Sequence, residues 1–388
     1  MILLFCRKIL SFALVILAAL AMTELALWAF WPLPYGEERK MTLHQELAGL
    51  KSDVVYEQDR HGLRARSDFS RLKDARVIRV LAIGASTTQQ MNQNFEDTWP
   101  AILEKLLQDE WASKGVQVEV AAWGRGGQRV FDRVNFVRRQ AAAFKPDVIV
   151  TLEGINDLAW NGGPGYEYKG PESRLEDIQD SPVVKLQRFK RAYCQIYKRL
   201  KLRESQTKLQ MQIAEGRAIE NFTASLDENH RKYLTLPYIG QPARDPDPIV
   251  EFKDGIVHLV KSIQEIGAEP VLLAQPVIWR DIMDSKDKEG LWFYVDTPNG
   301  PIRTDISWMY KEISAYNATQ KEAAQLQGAT YVALDERIPP TREYFFDDCH
   351  VTDLGSRMMA QMVLAEVSGA IRRKVQARNL LGTPADSL

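Results

Sequence analysis

Two short runs, Val77-Ile78-Arg79-Val80-Leu81-Ala82-Ile83 and Val148-Ile149-Val150-Thr151-Leu152, are almost wholly apolar on both faces of a strand. Strands of this kind need cover on both sides, which the middle of a parallel sheet between two helical layers supplies. The residues around them keep that pattern. Trp99, Ile102, Leu103, Leu106 and Leu107 fall at helical spacing, as do Val130, Val134, Val137 and Ala141, and then Ile249, Phe252, Ile256, Val260 and Ile263. Gly115, Pro146 and Gly267 stop these helices. Further strands are expected at Val116–Ala122, Val271–Leu273 and Tyr331–Leu334, and further helices at Asp305–Gln327 and Thr352–Arg373. The alternation predicts one α/β domain over 76–375 with a parallel sheet of about five strands, followed by a tail at 376–388. No period of the kind that marks solenoids or propellers is visible.

The strand ends carry the chemistry. Ser86 follows the first apolar run in Gly84-Ala85-Ser86-Thr87, and open α/β sheets place their sites at that edge. Gly124, Gly126 and Gly127 follow the second strand, Gly154-Ile155-Asn156-Asp157 the third, and Asp347 and His350 precede the last helix. A serine hydroxyl needs a base, and the base needs a third group to fix its tautomer. His350 is the base expected for Ser86. Asp347, three residues earlier on one short turn, orients it, with Asp348 and Asp335 as rival acids. The oxyanion would be met by the backbone N–H of Ser86, a backbone N–H from the Gly124–Gly127 loop and the side-chain amide of Asn156. Such a site calls for no metal and no other cofactor. Cys349 beside the base is expected to pack, since a nucleophilic thiol would need a base of its own.

These blocks resemble the SGNH hydrolase superfamily, the GDSL-type esterases. The matching segments are Gly84-Ala85-Ser86-Thr87, Gly124-Arg125-Gly126-Gly127, Gly154-Ile155-Asn156-Asp157 and Asp347-Asp348-Cys349-His350, in the family's order. Thr98-Trp99-Pro100 and Leu103-Glu104 also look like its first helix. The resemblance implies a flavodoxin-like three-layer α/β/α sandwich, with Ser86 as nucleophile, His350 as base, and a second-block glycine with Asn156 in the oxyanion hole. The family's usual second block makes Gly127 the favoured donor and Gly124 the reserve. Ala122 stands where many members carry asparagine, Ala85 replaces the aspartate of the name motif and Thr87 its leucine.

Outside this domain the chain is less regular. Residues 9–31 hold one charge, Glu24, over about 23 residues, roughly 34 Å of helix and enough to cross a bilayer. Arg7 and Lys8 before it and Trp28 and Trp31 at its end suit a membrane anchor, with residues 1–8 cytoplasmic and the catalytic domain periplasmic or extracellular. A cleaved signal peptide is the alternative, since Ala19-Leu20-Ala21 fits a cleavage site. Residues 32–75 read as a juxtamembrane segment with a short strand at Val54–Tyr56 and a turn at Asp59–Gly62. An insertion with long polar helices is expected at about 160–247, after the Gly162–Gly165 loop. Within it Lys185–Arg203 carries eight basic residues and no acid. That stretch is a solvated helix face, or a surface for an anionic membrane or acidic polymer.

With 388 residues, 45% hydrophobic and a net charge of −1, the chain has no compositional bias toward nucleic acid. Three cysteines leave room for one bridge at most, Cys194 to Cys349. The expected activity is a serine esterase removing acyl, notably acetyl, groups from an extracytoplasmic ester such as a glycan, its membrane contact made through the N-terminal helix. Two alternatives stay open: an O-acyltransferase of surface-polysaccharide assembly using the same triad, and a non-catalytic carbohydrate-binding or scaffold protein.

Overall fold

The two apolar runs become neighbouring strands, β4 (Val77–Gly84) and β6 (Val148–Leu152), buried along their whole length. The computed structural model describes residues 12, 15–26, 39–59, 61–160, 168–176, 220–242 and 248–380. Around β4 and β6 lie β5 (Gln117–Gly124), β8 (Glu269–Leu273) and β11 (Thr330–Val332), all parallel, in the order β11-β8-β6-β4-β5. Numbered along the chain, these five strands stand in the order 2-1-3-4-5, one of the two common doubly wound arrangements. A two-residue strand, β3 (Arg64–Ala65), extends the sheet antiparallel to β5. That edge lies in the stretch expected to be irregular.

Strand order decides where the helices go. The chain steps one way from β4 to β5 and the other way in every later crossover, so right-handed connections put the intervening helices on opposite faces. Trp99–Trp111 lies on one face and packs against the closing helix, Asp353–Ala377. Val130–Arg139 and Ile306–Leu326 lie on the other, each packed on Ile249–Glu265. Burial follows the expected stripes: Trp99, Leu103, Leu107 and Trp111 are buried on the first helix, and Phe252, Ile256, Leu259, Val260 and Ile263 on the third.

Three strands end level. Gly84 pairs with Gly124 on one side and with Leu152 on the other. The loops after β4, β5 and β6 therefore rise from the sheet side by side, which is what brings Ser86, Gly127 and Asn156 within one neighbourhood.

Residues 39–58 form a hairpin, β1 (Arg39–His44) with β2 (Asp53–Gln58), and β7 (Glu220–Asn221) adds to β1 in parallel. Only the Val54–Tyr56 part was legible in the apolar pattern. A second hairpin, β9 (Val295–Thr297) and β10 (Gly300–Ile302), follows β8.

The chain divides into two units, one of residues 1–38, 59–62 and 179–219, the other of 39–58, 63–178 and 220–388. The sheets and helices above belong to the second. In the first, the described residues are helical at 15–26 and make the expected turn at Asp59–Gly62, where Gly62 N–H donates to the Asp59 carbonyl at 2.9 Å. The Gly162–Gly165 loop, Lys185–Arg203 and Cys194 lie outside the described residues.

The expected membrane anchor at 9–31 is corrected here. Among the described residues no helix is long and apolar enough to cross a membrane. The membrane-anchored placement of the domain, and its contact with the inner membrane through that helix, rested on that span and fall with it.

Candidate active site

Ser86 opens a one-turn helix, α1 (Ser86–Gln89), directly after β4. The first residue of a helix has no intrahelical acceptor for its N–H, so the Ser86 amide is left as a donor beside its own hydroxyl. α1 packs on the end of β5 so closely that a Cβ at Gly124 would stand 2.2 Å from Gln89 N. Glycine at 124 is thus required by the backbone above it. The carbonyls at the end of α1 are held by Arg64, whose guanidinium donates to Gln89 O and Gln90 O at 2.8 Å and to Gln93 O at 2.9 Å.

The second-block loop is pinned on both sides of Gly127. Gly126 N–H donates to Gln89 Oε1 at 3.0 Å. Gln128 O accepts from Asn156 Nδ2 at 2.9 Å, and Gln128 Oε1 accepts from Arg133 at 2.6 Å. Gly127 itself has φ +76°, a conformation glycine adopts at little cost, and its N–H has no partner among the described residues. Asn156 is the second residue of a short helix, Ile155–Ala159, that begins directly after Gly154.

Asp347 organises the last turn. One carboxylate oxygen accepts the backbone N–H groups of Cys349 at 3.0 Å and His350 at 2.8 Å, and the other accepts the ring Nδ1–H of His350 at 2.7 Å. Nδ1 is thereby committed, and Nε2 is the ring nitrogen left for chemistry. Burial would lift the Asp347 carboxyl, but the charge and hydrogen bonds of His350 outweigh it and hold Asp347 below the ordinary carboxylate value. Burial would lower His350, and the Asp347 carboxylate more than offsets it, holding the imidazole well above its ordinary value. Phe346 stacks on the ring at 5.7 Å between centroids.

The rival acids have other partners. Asp335 accepts from Asn317 at 3.0 Å. Asp348 accepts from Trp279 Nε1 at 2.8 Å and from the backbone N–H groups of Trp292 and Phe293 at 2.8 and 3.1 Å. Burial and the neighbouring Asp347 push Asp348 up to about 6. It ties the Asp347–His350 turn to the loop before β9.

Ser86, Gly126, Gly127, Asn156, Asp347 and His350 line one cavity of about 610 Å³, with Trp160, Trp292, Tyr294 and Phe346 on its walls. The expected site residues are therefore together. Gln89, Arg64 and Gln128 were not anticipated. Gln89 had a local signal, an amide three residues after Ser86 on the same turn. Asp348 was considered only as a rival to Asp347.

Among the described residues, Asp347, Cys349 and His350 are the only group of three or more whose His, Cys or carboxylate ligand atoms lie close enough to share an ion, within 4.8 Å of one another. Burial pushes the Cys349 thiol up, toward the protonated form that binds metal poorly, and Nδ1 of His350 is already bonded to Asp347. The trio fits an acid–base pair better than a chelate. Cys349 is a free, buried thiol.

The sequence matches the GDSL-like Lipase/Acylhydrolase family over residues 82–358, more than half of the chain. The chain belongs to this family. It is accordingly a serine esterase or acylhydrolase of the GDSL type. Comparison with curated proteins finds no match. Among solved structures the chain is similar to Axe2, an acetylxylan esterase from Geobacillus stearothermophilus, at 14% identity and a TM-score of 0.40, covering 75% of this chain and 94% of that one. It is also similar to LAE5, an alpha/beta hydrolase enzyme from the metagenome of Lake Arreo, Spain, at 14% identity and a TM-score of 0.40, covering 75% and 95%.

Proposed function

We propose that Ser86, His350 and Asp347 are the nucleophile, base and orienting acid of this acyl-ester hydrolase, and that its substrate is a short acyl group, such as acetyl, on a sugar. The observation that carries the first part is the Asp347–His350 pair in the cavity that Ser86 lines. Nε2 of His350 takes the hydroxyl proton as Ser86 Oγ bonds to the ester carbonyl carbon. The same proton goes to the departing alcohol when the ester C–O bond breaks. Water, deprotonated by His350, then attacks the acyl-serine, and as the acyl–Oγ bond breaks and the acid leaves, His350 returns that proton to Ser86 Oγ. The N–H groups of Ser86 and Gly127 and the side-chain amide of Asn156 meet the oxyanion in both steps. The sugar part of the reading rests on the aromatic walls, Trp160, Trp292, Tyr294 and Phe346, with the carboxylate of Asp296 and the amide of Asn229 among them.

Acetate release from an acetylated oligosaccharide, measured beside hydrolysis of p-nitrophenyl acetate, tests both parts. Activity on both substrates, lost in Ser86→Ala, is expected. Hydrolysis of the aryl ester alone would remove the sugar. Appearance of the acetyl group on an added acceptor sugar, in preference to free acetate, would make the protein an O-acyltransferase.

A further inference from the structure

Gln89 is buried at 9% exposure, carries no role in the scheme above, and yet reaches the site at two points. Its Oε1 accepts the Gly126 N–H at 3.0 Å, and its backbone fits against Gly124. Behind it, its Nε2 donates to the Tyr56 hydroxyl at 3.2 Å, which in turn donates to Gln58 Oε1 at 2.8 Å. The Arg64 guanidinium lies 4.7 Å from the Tyr56 ring centroid while holding Gln89 O, so main chain and side chain of this residue are fixed from the same side.

The consequence concerns which amide is left to face the substrate. Two adjacent glycine N–H groups follow Arg125, and either could turn toward Ser86. With the Gly126 N–H taken by Gln89 and Gln128 O held by Asn156, Gly127 is the residue between two fixed neighbours, its N–H unused among the described residues. An oxyanion donor helps in proportion to how little it must move when charge develops. We propose that Gln89 is the positioning residue of the oxyanion loop: it absorbs the Gly126 N–H and thereby presents that of Gly127, with the β1–β2 hairpin acting through Tyr56 as its support. This rests on the catalytic reading of Ser86.

The test uses the full chain, p-nitrophenyl acetate as substrate and two variants, Gln89→Met, which keeps the length and removes the acceptor, and Tyr56→Phe, which removes only the support. Losing an oxyanion donor costs about 10²–10³ in rate, and misplacing one less, so kcat of Gln89→Met should fall about 10- to 100-fold with KM within about twofold. Tyr56→Phe should show the same split at about threefold, and the double variant should be no slower than Gln89→Met alone, since both act through one contact. A kcat loss matched by a rise in KM, or additive losses in the double variant, would assign Gln89 to packing and overturn the proposal. So would wild-type kcat in either single variant. If Gln89→Met does not fold, the kcat and KM of Tyr56→Phe decide alone. An inactive wild type whose Ser86 takes no label from a fluorophosphonate would instead overturn the nucleophile assignment, a distinguishable result.

Discussion

At the scale of single residues, His350 acts as a base only while neutral, and Asp347 makes that state harder to reach. The carboxylate holds the ring well above the ordinary imidazole value of 6.5, so the protonated, inactive form persists to higher pH. The kcat/KM profile should therefore rise with pH and have its midpoint above 6.5. Asp347→Asn removes the charge and the correct tautomer together, so the midpoint should move down while kcat falls by about 10² or more. An unchanged midpoint would detach Asp347 from His350. Asn156→Ala removes a neutral donor and should cost about 10²–10³ in kcat with little effect on KM.

At the scale of elements, the close approach of α1 to β5 makes Gly124 a test of how the nucleophile turn is seated. An alanine methyl there meets backbone, which cannot swing aside, so Gly124→Ala should lose about 1–3 kcal/mol in urea unfolding and lower kcat as α1 shifts. Asp157 joins two other elements. Its carboxylate accepts the Val130 N–H at the start of Val130–Arg139, and burial, with Glu153 nearby, pushes it up to about 8 from an ordinary 3.8. Between these values the folded chain keeps a proton that the unfolded chain releases, so stability falls as pH rises through that window. Asp157→Asn keeps an acceptor oxygen and removes the titration. From about pH 5 to about pH 8 its melting temperature should therefore fall less than that of the wild type. Parallel curves would contradict the raised value.

At the scale of the whole molecule, what was legible in the sequence is what local pattern dictates. Val77–Ile83 and Val148–Leu152 announced a doubly covered sheet because burial on both faces leaves no room for polar alternation. The Asp347–His350 pair was legible because it closes within one turn. Arg39–His44 was not, since its one apolar face is only Met41 and Leu43, too short a period-2 pattern to stand out among its charged and polar neighbours. Gln89, Tyr56 and Arg64 meet only after the chain has folded, so no spacing between them could advertise the contact. The apolar run at 9–31 was read as a span from its length and low charge, and among the described residues no helix is long and apolar enough to cross a membrane. The central claim is that Ser86 is the nucleophile served by His350. It is tested most directly by treating the folded chain with a fluorophosphonate and mapping the adduct by mass spectrometry. One adduct on Ser86, absent in Ser86→Ala and strongly slowed in His350→Ala, is the expected result; an unlabelled wild type, or an adduct on another serine that survives both substitutions, would contradict it.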